Sequence, residues 1–208
     1  MENDKSQVIE LPKLVLASGS PRRSEILKSV GWEFEIFVTD IDESEVSGES
    51  PEDYVTRLAR EKALWASSKH PGHLVLGADT TVVVNGSIIG KPVDLEDADR
   101  MIRLLSGKRH EVLTGVAFAT DSNAVSGLQR TTVSFATLSD SEIDYLVHNG
   151  SPLDKAGAYA VQAQAALFIE EIEGDYWNVV GLPVSLVYKL LQRAYSEIRP
   201  ESGWKCAL

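Results

Sequence analysis

A single cysteine, Cys206, stands among the 208 residues, so no intrachain disulfide can brace the fold and a reducing, cytoplasmic setting is expected. No apolar run approaches the ~18 residues that a membrane span requires, and no membrane partner is expected. The opening MENDKSQVIELPK lacks the basic-then-apolar order of a secretory signal, and the closing KCAL sets its cysteine one residue too late for a prenylation box. Basic residues are outnumbered, 20 Lys and Arg against 31 Asp and Glu, for a formal net charge of -11. A surface of that average sign repels phosphate, which argues against stable nucleic-acid binding and against attraction to acidic membranes. Any anionic ligand must therefore meet a local concentration of cations. The Gly-Lys-Ser/Thr phosphate loop and the dinucleotide glycine fingerprint are also missing, as is any Ser/His/Asp or Cys/His nucleophile set. The four histidines, His70, His73, His110 and His148, show no metal-ligand spacing and read as surface or structural residues.

What is present describes a folded chain. Hydrophobic residues make up 43% and charged residues 25%, too apolar for disorder, and the length supports one sizeable core. KLVLAS reads as a short strand, followed by a helix over PRRSEILKSV with Ser20 as N-cap and Pro21 at its first position. EFEIFVTD alternates like a half-buried strand, and the stretch from Asp40 to Asp53 is an acidic loop. A helix over SPEDYVTRLAREKALWASSKH carries Val55, Leu58, Ala59, Ala63 and Leu64 on one face. HLVLGADTTVVVNGSIIGKP predicts a long strand, an Asn-Gly hairpin and a returning strand. Asp94 caps a third helix. EVLTGVAFAT and LQRTTVSFAT are strands flanking a turn-rich DSNAVSG, Ser139 and Glu142 form a capping box, ALFIEEIEG is a strand, and a last helix starts near Pro183. Early alternation of strands and helices followed by hairpins predicts an α/β fold with a mixed twisted sheet and flanking helices. The expected organisation is an N-terminal extension over 1–12, one catalytic domain over 13–196 and a C-terminal tail over 197–208.

Four places carry chemistry. A loop leaving a strand and entering a helix presents free backbone N–H groups, and Arg22 and Arg23 add two full charges there, which makes a phosphate-sized anion site; the plainer alternative is a solvated first turn. Asp79 lies inside the apolar VLGADTTVVV, where an unpartnered carboxylate is costly. A divalent cation would compensate it through oxygen ligands, Glu43 of the acidic loop being a further carboxylate, or the Asp caps a bulge or bonds to backbone. Lys91 follows the hairpin in GKP. Lys155 and Gln162 bracket SPLDKAGAYAVQ, where a lysine suits phosphate and a glutamine amide can read the donor and acceptor pattern of a base edge.

LASGSPRRSEIL, RLAREKA, LGADTTV, GKP, LSGKRHEVLTGV, PLDKAGAYAVQ and GDYWNVVGLP, in that order from Leu14 to about Leu191, resemble the Maf family of nucleoside triphosphate pyrophosphatases. The resemblance implies two closely joined lobes around a central cleft, related to the ITPase fold, and hydrolysis between the α and β phosphates with Mg2+ or Mn2+. It implies that Ser18, Arg22 and Arg23 hold the triphosphate, that Lys62 and Lys91 add positive charge, that Glu43 and Asp79 hold the metal and that Asp79 is the general base. Thr80, Arg22 and Gln162 fall where family members differ in substrate. The ADT triplet, the AYAVQ glutamine and the GDYWNVVGLP ending look like the branch acting on dTTP and UTP. The alternatives are the same reaction on 7-methyl-GTP, CTP or another modified nucleotide, or a noncatalytic nucleotide-binding regulator of cell division. A homodimer is a further expectation of the resemblance. Ala163 and Ala165 stand where the family often has glycine, a place where positive φ could be required.

Overall fold

The computed structural model describes residues 11–199 and Gly203. The expected extension, apart from Leu11 and Pro12, lies outside the described residues, as do most of the expected tail and Cys206. Seven strands form one mixed sheet: β1 (Leu14–Ala17), β2 (Phe34–Ile36), β3 (Val75–Val84), β4 (Ser87–Ile89), β5 (Arg109–Thr120), β6 (Asn123–Phe135) and β7 (Ile169–Glu173). The order is β2-β1-β3-β5-β6-β7, with β4 also on β3. β1 pairs in parallel with β2 and β3, and every other pairing is antiparallel. The helices are α1 (Pro21–Ser29), α2 (Pro51–Lys69), α3 (Leu95–Leu105), α4 (Asp140–Asn149), α5 (Tyr176–Val180) and α6 (Val184–Glu197).

Long strands joining two cores explain the two lobes. On one face β3 contributes Leu76 and Ala78 to a core built with α1, β5 and α6. Further along the same face, Val82 and Val84 enter a second core with α3 and α4. Asp79 and Thr80 fall between these two sets, at the seam. Because side chains alternate along a strand, Gly77, Asp79 and Thr81 face the opposite side, where α2 lies.

The α2 seam is close. A Cβ on Gly77 would sit 2.3 Å from the Ala59 carbonyl oxygen, and one on Gly115 would sit 2.1 Å from that of Val55. Any residue but glycine would force the helix off the sheet. With Ala59, Ala63 and Ala66 on the contacting face, this approach sets the height of the next α2 side chain inward, Lys62. The cap of α2 is local: the Ser50 hydroxyl accepts from the Asp53 N–H at 3.1 Å.

Three local expectations shift. The strand expected over EFEIFVTD pairs only through Phe34–Ile36, because its sole partner, β1, is four residues long. In DSNAVSG only Asp121 and Ser122 turn, and the pairing Thr120↔Asn123 carries β6 directly out of the hairpin. α5 forms ahead of the helix expected from Pro183, its N-terminus capped by the Asp175 carboxylate, which accepts from the N–H groups of Trp177 and Asn178. The NG hairpin forms as expected, with Asn85 at φ 52 and Gly86 at φ 76, the paired positive values of a type I′ turn.

Candidate active site

A cleft of about 520 Å3 opens at the seam between the lobes, and Ser18, Arg22, Arg23, Glu43, Lys62, Asp79, Thr80, Lys91 and Gln162 all line it. These nine come from separate stretches of chain: the β1–α1 turn, the start of α1, the acidic loop, α2, β3, the residues after β4 and the segment before β7. No residue nominated from the sequence lies elsewhere.

The centre is an ion triad. Lys62 Nζ lies 2.6 Å from Asp79 Oδ1 and 2.8 Å from Glu43 Oε1. Lys62 and Asp79 are buried, at 6% and 8% exposure, so each needs the other to offset desolvation. The loop that brings Glu43 is tied down by polar bonds. Arg57 of α2 pairs with Glu49 at 2.6 Å and donates to the Ser44 carbonyl at 3.0 Å. The Tyr54 hydroxyl donates to the Glu43 carbonyl at 2.9 Å. Burial, helped by the negative charges of Asp79, Glu43 and Glu45, pushes Tyr54 up to about 12, which keeps it a donor.

The two arginines do different things. Arg23 turns inward: its Nε donates to the Gly181 carbonyl at 2.9 Å, Nη1 to Ser18 Oγ at 2.9 Å and Nη2 to Thr80 Oγ1 at 3.1 Å. Thr80 Oγ1 also lies 2.9 Å from Thr114 Oγ1, its direct cross-strand partner. Arg23 thus joins α1, β3 and the turn after α5 through neutral partners. Its burial lowers the guanidinium from its ordinary value, against the attraction of Asp79 and Glu43. Arg22 instead reaches across the cleft mouth to Asp154, a residue the sequence reading passed over. Its Nη1 lies 2.7 Å from Asp154 Oδ2 and its Nη2 donates to the Asp154 carbonyl at 3.0 Å. The nearest hint in the sequence was Lys155 beside it. Ser20 makes no side-chain cap on α1, and the first turn holds no acidic residue, which leaves that helix end suited to an anion.

Lys91 and Gln162 are exposed along the cleft wall. Ala163 adopts φ -124, a conformation open to any residue, so glycine is not required there. The positive φ values of this segment belong to Ser151, Gly157 and Ala158. Behind the wall, His110 is buried, with Nε2 2.8 Å from the Tyr159 hydroxyl. Burial lowers His110 to about 4, so it is neutral and structural.

As donors for a metal, Glu43 and Asp79 offer two hard carboxylates converging on one cationic point. No group of three or more His, Cys, Asp and Glu side chains gathers as a metal site among the described residues. That set fits Mg2+ or Mn2+, which commonly take one or two carboxylates and complete their shell with water and phosphate oxygens.

Fold and site together define a mixed-sheet α/β protein with a cleft between its two lobes lined by Arg22, Arg23, Lys62, Lys91 and Lys155. The chain belongs to the Maf-like protein family, whose model matches residues 13–194. A dTTP/UTP pyrophosphatase of Anaeromyxobacter dehalogenans is 51% identical over 187 residues, covering 88% of this chain and 94% of that protein. The protein of the same name from Symbiobacterium thermophilum is 47% identical over 181 residues, covering 87% and 93%, and that from Bacillus anthracis is 45% identical, covering 87% and 95%. Among solved structures, the Staphylococcus aureus Ham1 protein superposes with a TM-score of 0.51 at 14% identity, over 87% of this chain and 98% of that one, a likeness of fold. No helix among the described residues is long and apolar enough to cross a membrane.

Proposed function

We propose that this protein is a nucleoside triphosphate pyrophosphatase that hydrolyses dTTP and UTP to the monophosphate and pyrophosphate, a house-cleaning activity on nucleotides. The observation that carries the reading is the convergence of all nine nominated residues on one cleft, in a chain about half identical to relatives bearing that name. The domain concerned is taken as residues 13–196.

The chemistry divides along the cleft. A triphosphate carries close to four negative charges, and Arg22, Lys62 and Lys91, with the uncapped end of α1, supply a preorganised positive field for it. Asp79, at the seam, is the candidate base: its carboxylate takes a proton from the water that attacks the α-phosphorus while pyrophosphate departs. Lys62 offsets the charge of Asp79 and Glu43 together and so holds both pointed at the reacting end. Glu43 and Asp79 would hold the divalent cation, which when bound supplies charge neutralisation on the phosphates. Arg23 keeps Ser18 and Thr80 in place, and Gln162 stands where its amide can pair with the uracil or thymine edge.

The test is a panel of nucleotides, modified ones included, incubated with purified protein and Mg2+ or Mn2+ while pyrophosphate is measured. Release from dTTP and UTP in preference to CTP and 7-methyl-GTP is expected; no release from any nucleotide overturns the reading. A cytoplasmic setting and a homodimer belong to the same proposal, and the mass in solution by light scattering tests the second.

A further inference from the structure

Among the described carboxylates that line the cleft, Glu43 and Asp79 pair with Lys62 and Asp154 pairs elsewhere. Its Oδ2 takes Arg22 at 2.7 Å and its Oδ1 takes Lys155 Nζ at 2.5 Å, while Lys155 also donates to the Ser151 carbonyl at 2.5 Å. Two cations thus grip two oxygens of one small anion at the mouth of the cleft, the pattern by which a phosphate is held. Arg22 is separated from Asp154 by 132 residues and belongs to α1, so the contact bridges the two sides of the opening. The bridge is built to be broken. The Asp154 side chain is 57% exposed against 22% for Arg22 and 12% for Lys155, and a half-exposed ion pair is held weakly because water can replace either partner. The cations stay in the wall; the carboxylate can swing out. Although burial opposes its ionisation, Lys155 and Arg22 together hold Asp154 below its ordinary carboxylate value, so it stays a full charge in the range where an enzyme works.

We propose that Asp154 is a product-release residue: its carboxylate occupies on Arg22 and Lys155 the place that the terminal phosphates of the substrate take, and reclaims it as pyrophosphate leaves. This rests on the pyrophosphatase reading. Without such a competitor, a cleft shaped to hold a triphosphate also holds the pyrophosphate cut from it, and turnover slows at release. Asp154 touches the binding cations and none of the reacting atoms, so it is a positioning residue.

Asp154→Asn keeps the shape and the backbone bond to Arg22 and removes only the charge. Titrating inorganic pyrophosphate with Mg2+ into each protein by calorimetry, we expect Asp154→Asn and Asp154→Ala to bind about tenfold more tightly than the wild type. Steady-state rates on dTTP should show KM and kcat falling together, a split that damage to the fold does not produce. Equal or weaker pyrophosphate binding by the variants, with wild type binding measurably, overturns this inference alone. Wild type that binds neither pyrophosphate nor any triphosphate overturns it together with the function. Should neither variant fold, a structure of the wild-type pyrophosphate complex decides: Asp154 turned away from Arg22 supports the inference, and the 2.7 Å contact retained defeats it.

Discussion

The two walls of the cleft are built differently. One wall is the sheet with α1 and α2, where glycines at 77 and 115 let a helix lie directly on strands, Arg23 ties three segments by hydrogen bonds, and Lys62 and Asp79 are buried. The other is residues 151–167, a run of three short 3-10 turns with Ser151 and Ala158 at positive φ and Asp154 and Gln162 toward solvent. On the proposed function, the rigid wall carries Asp79 and Lys62, whose groups must be placed to a fraction of an ångström for proton transfer, and the looser wall carries Gln162 and the Asp154–Lys155 pair, which would meet parts of the substrate that must come and go. A cleft that turns over needs both.

If that division is right, the largest effect comes from the rigid wall's chemistry. Asp79→Asn should lower turnover about a thousandfold with nucleotide binding retained, read as pyrophosphate release beside a binding titration; a drop in binding alone would move Asp79 from base to ligand. Next comes the seam itself: Gly115→Ala, whose Cβ would sit 2.1 Å from the Val55 oxygen, should cost about 3 kcal/mol, measured as a lower denaturant midpoint. The looser wall should instead answer to acid. His110 sits behind it at about 4 against an ordinary 6.5, so the unfolded chain binds the proton first. Stability is full above pH 6.5 and falls as pH drops toward 4, by up to about 3 kcal/mol. Thermal melts across that range should show the loss in wild type and a shallower slope in His110→Gln. The smallest effect is expected at the exposed Gln162. Gln162→Ala should raise KM for dTTP and UTP about tenfold and leave the melting temperature unchanged; a shifted melt without a change in KM would make it structural.

Much of this was visible in the chain before folding. A long apolar run and the NG dipeptide located β3 and β4, one-sided apolar spacing and the Asp94 cap located α2 and α3, and an aspartate stranded in VLGADTTVVV marked the seam. Strand ends and the extra helix α5 were not visible, because the length of β2 depends on the length of its neighbour β1 and α5 on a cap two residues from the edge of β7. Sequence also placed Arg22 and Arg23 together as one anion site; both line the cleft, but which partners each one meets, Asp154 for Arg22 and Ser18, Thr80 and Gly181 for Arg23, was not visible in the chain. Asp154 escaped notice for a similar reason: an Asp beside a Lys in a loop is unremarkable until a partner 132 residues away is known.

The chain alone determined which side chains are out of place in an ordinary core, and therefore which ones need a partner: periodicity and solvation are local properties, readable a few residues at a time. Which partner each one found was decided only by the tertiary structure, since the close seating of α2 on Gly77 and Gly115 is what brings Lys62 between Asp79 and Glu43, and the crossing of the cleft mouth is what gives Arg22 its carboxylate. Charge pairing falls off within a few ångströms, and distances of that kind between remote segments exist only once the chain has packed.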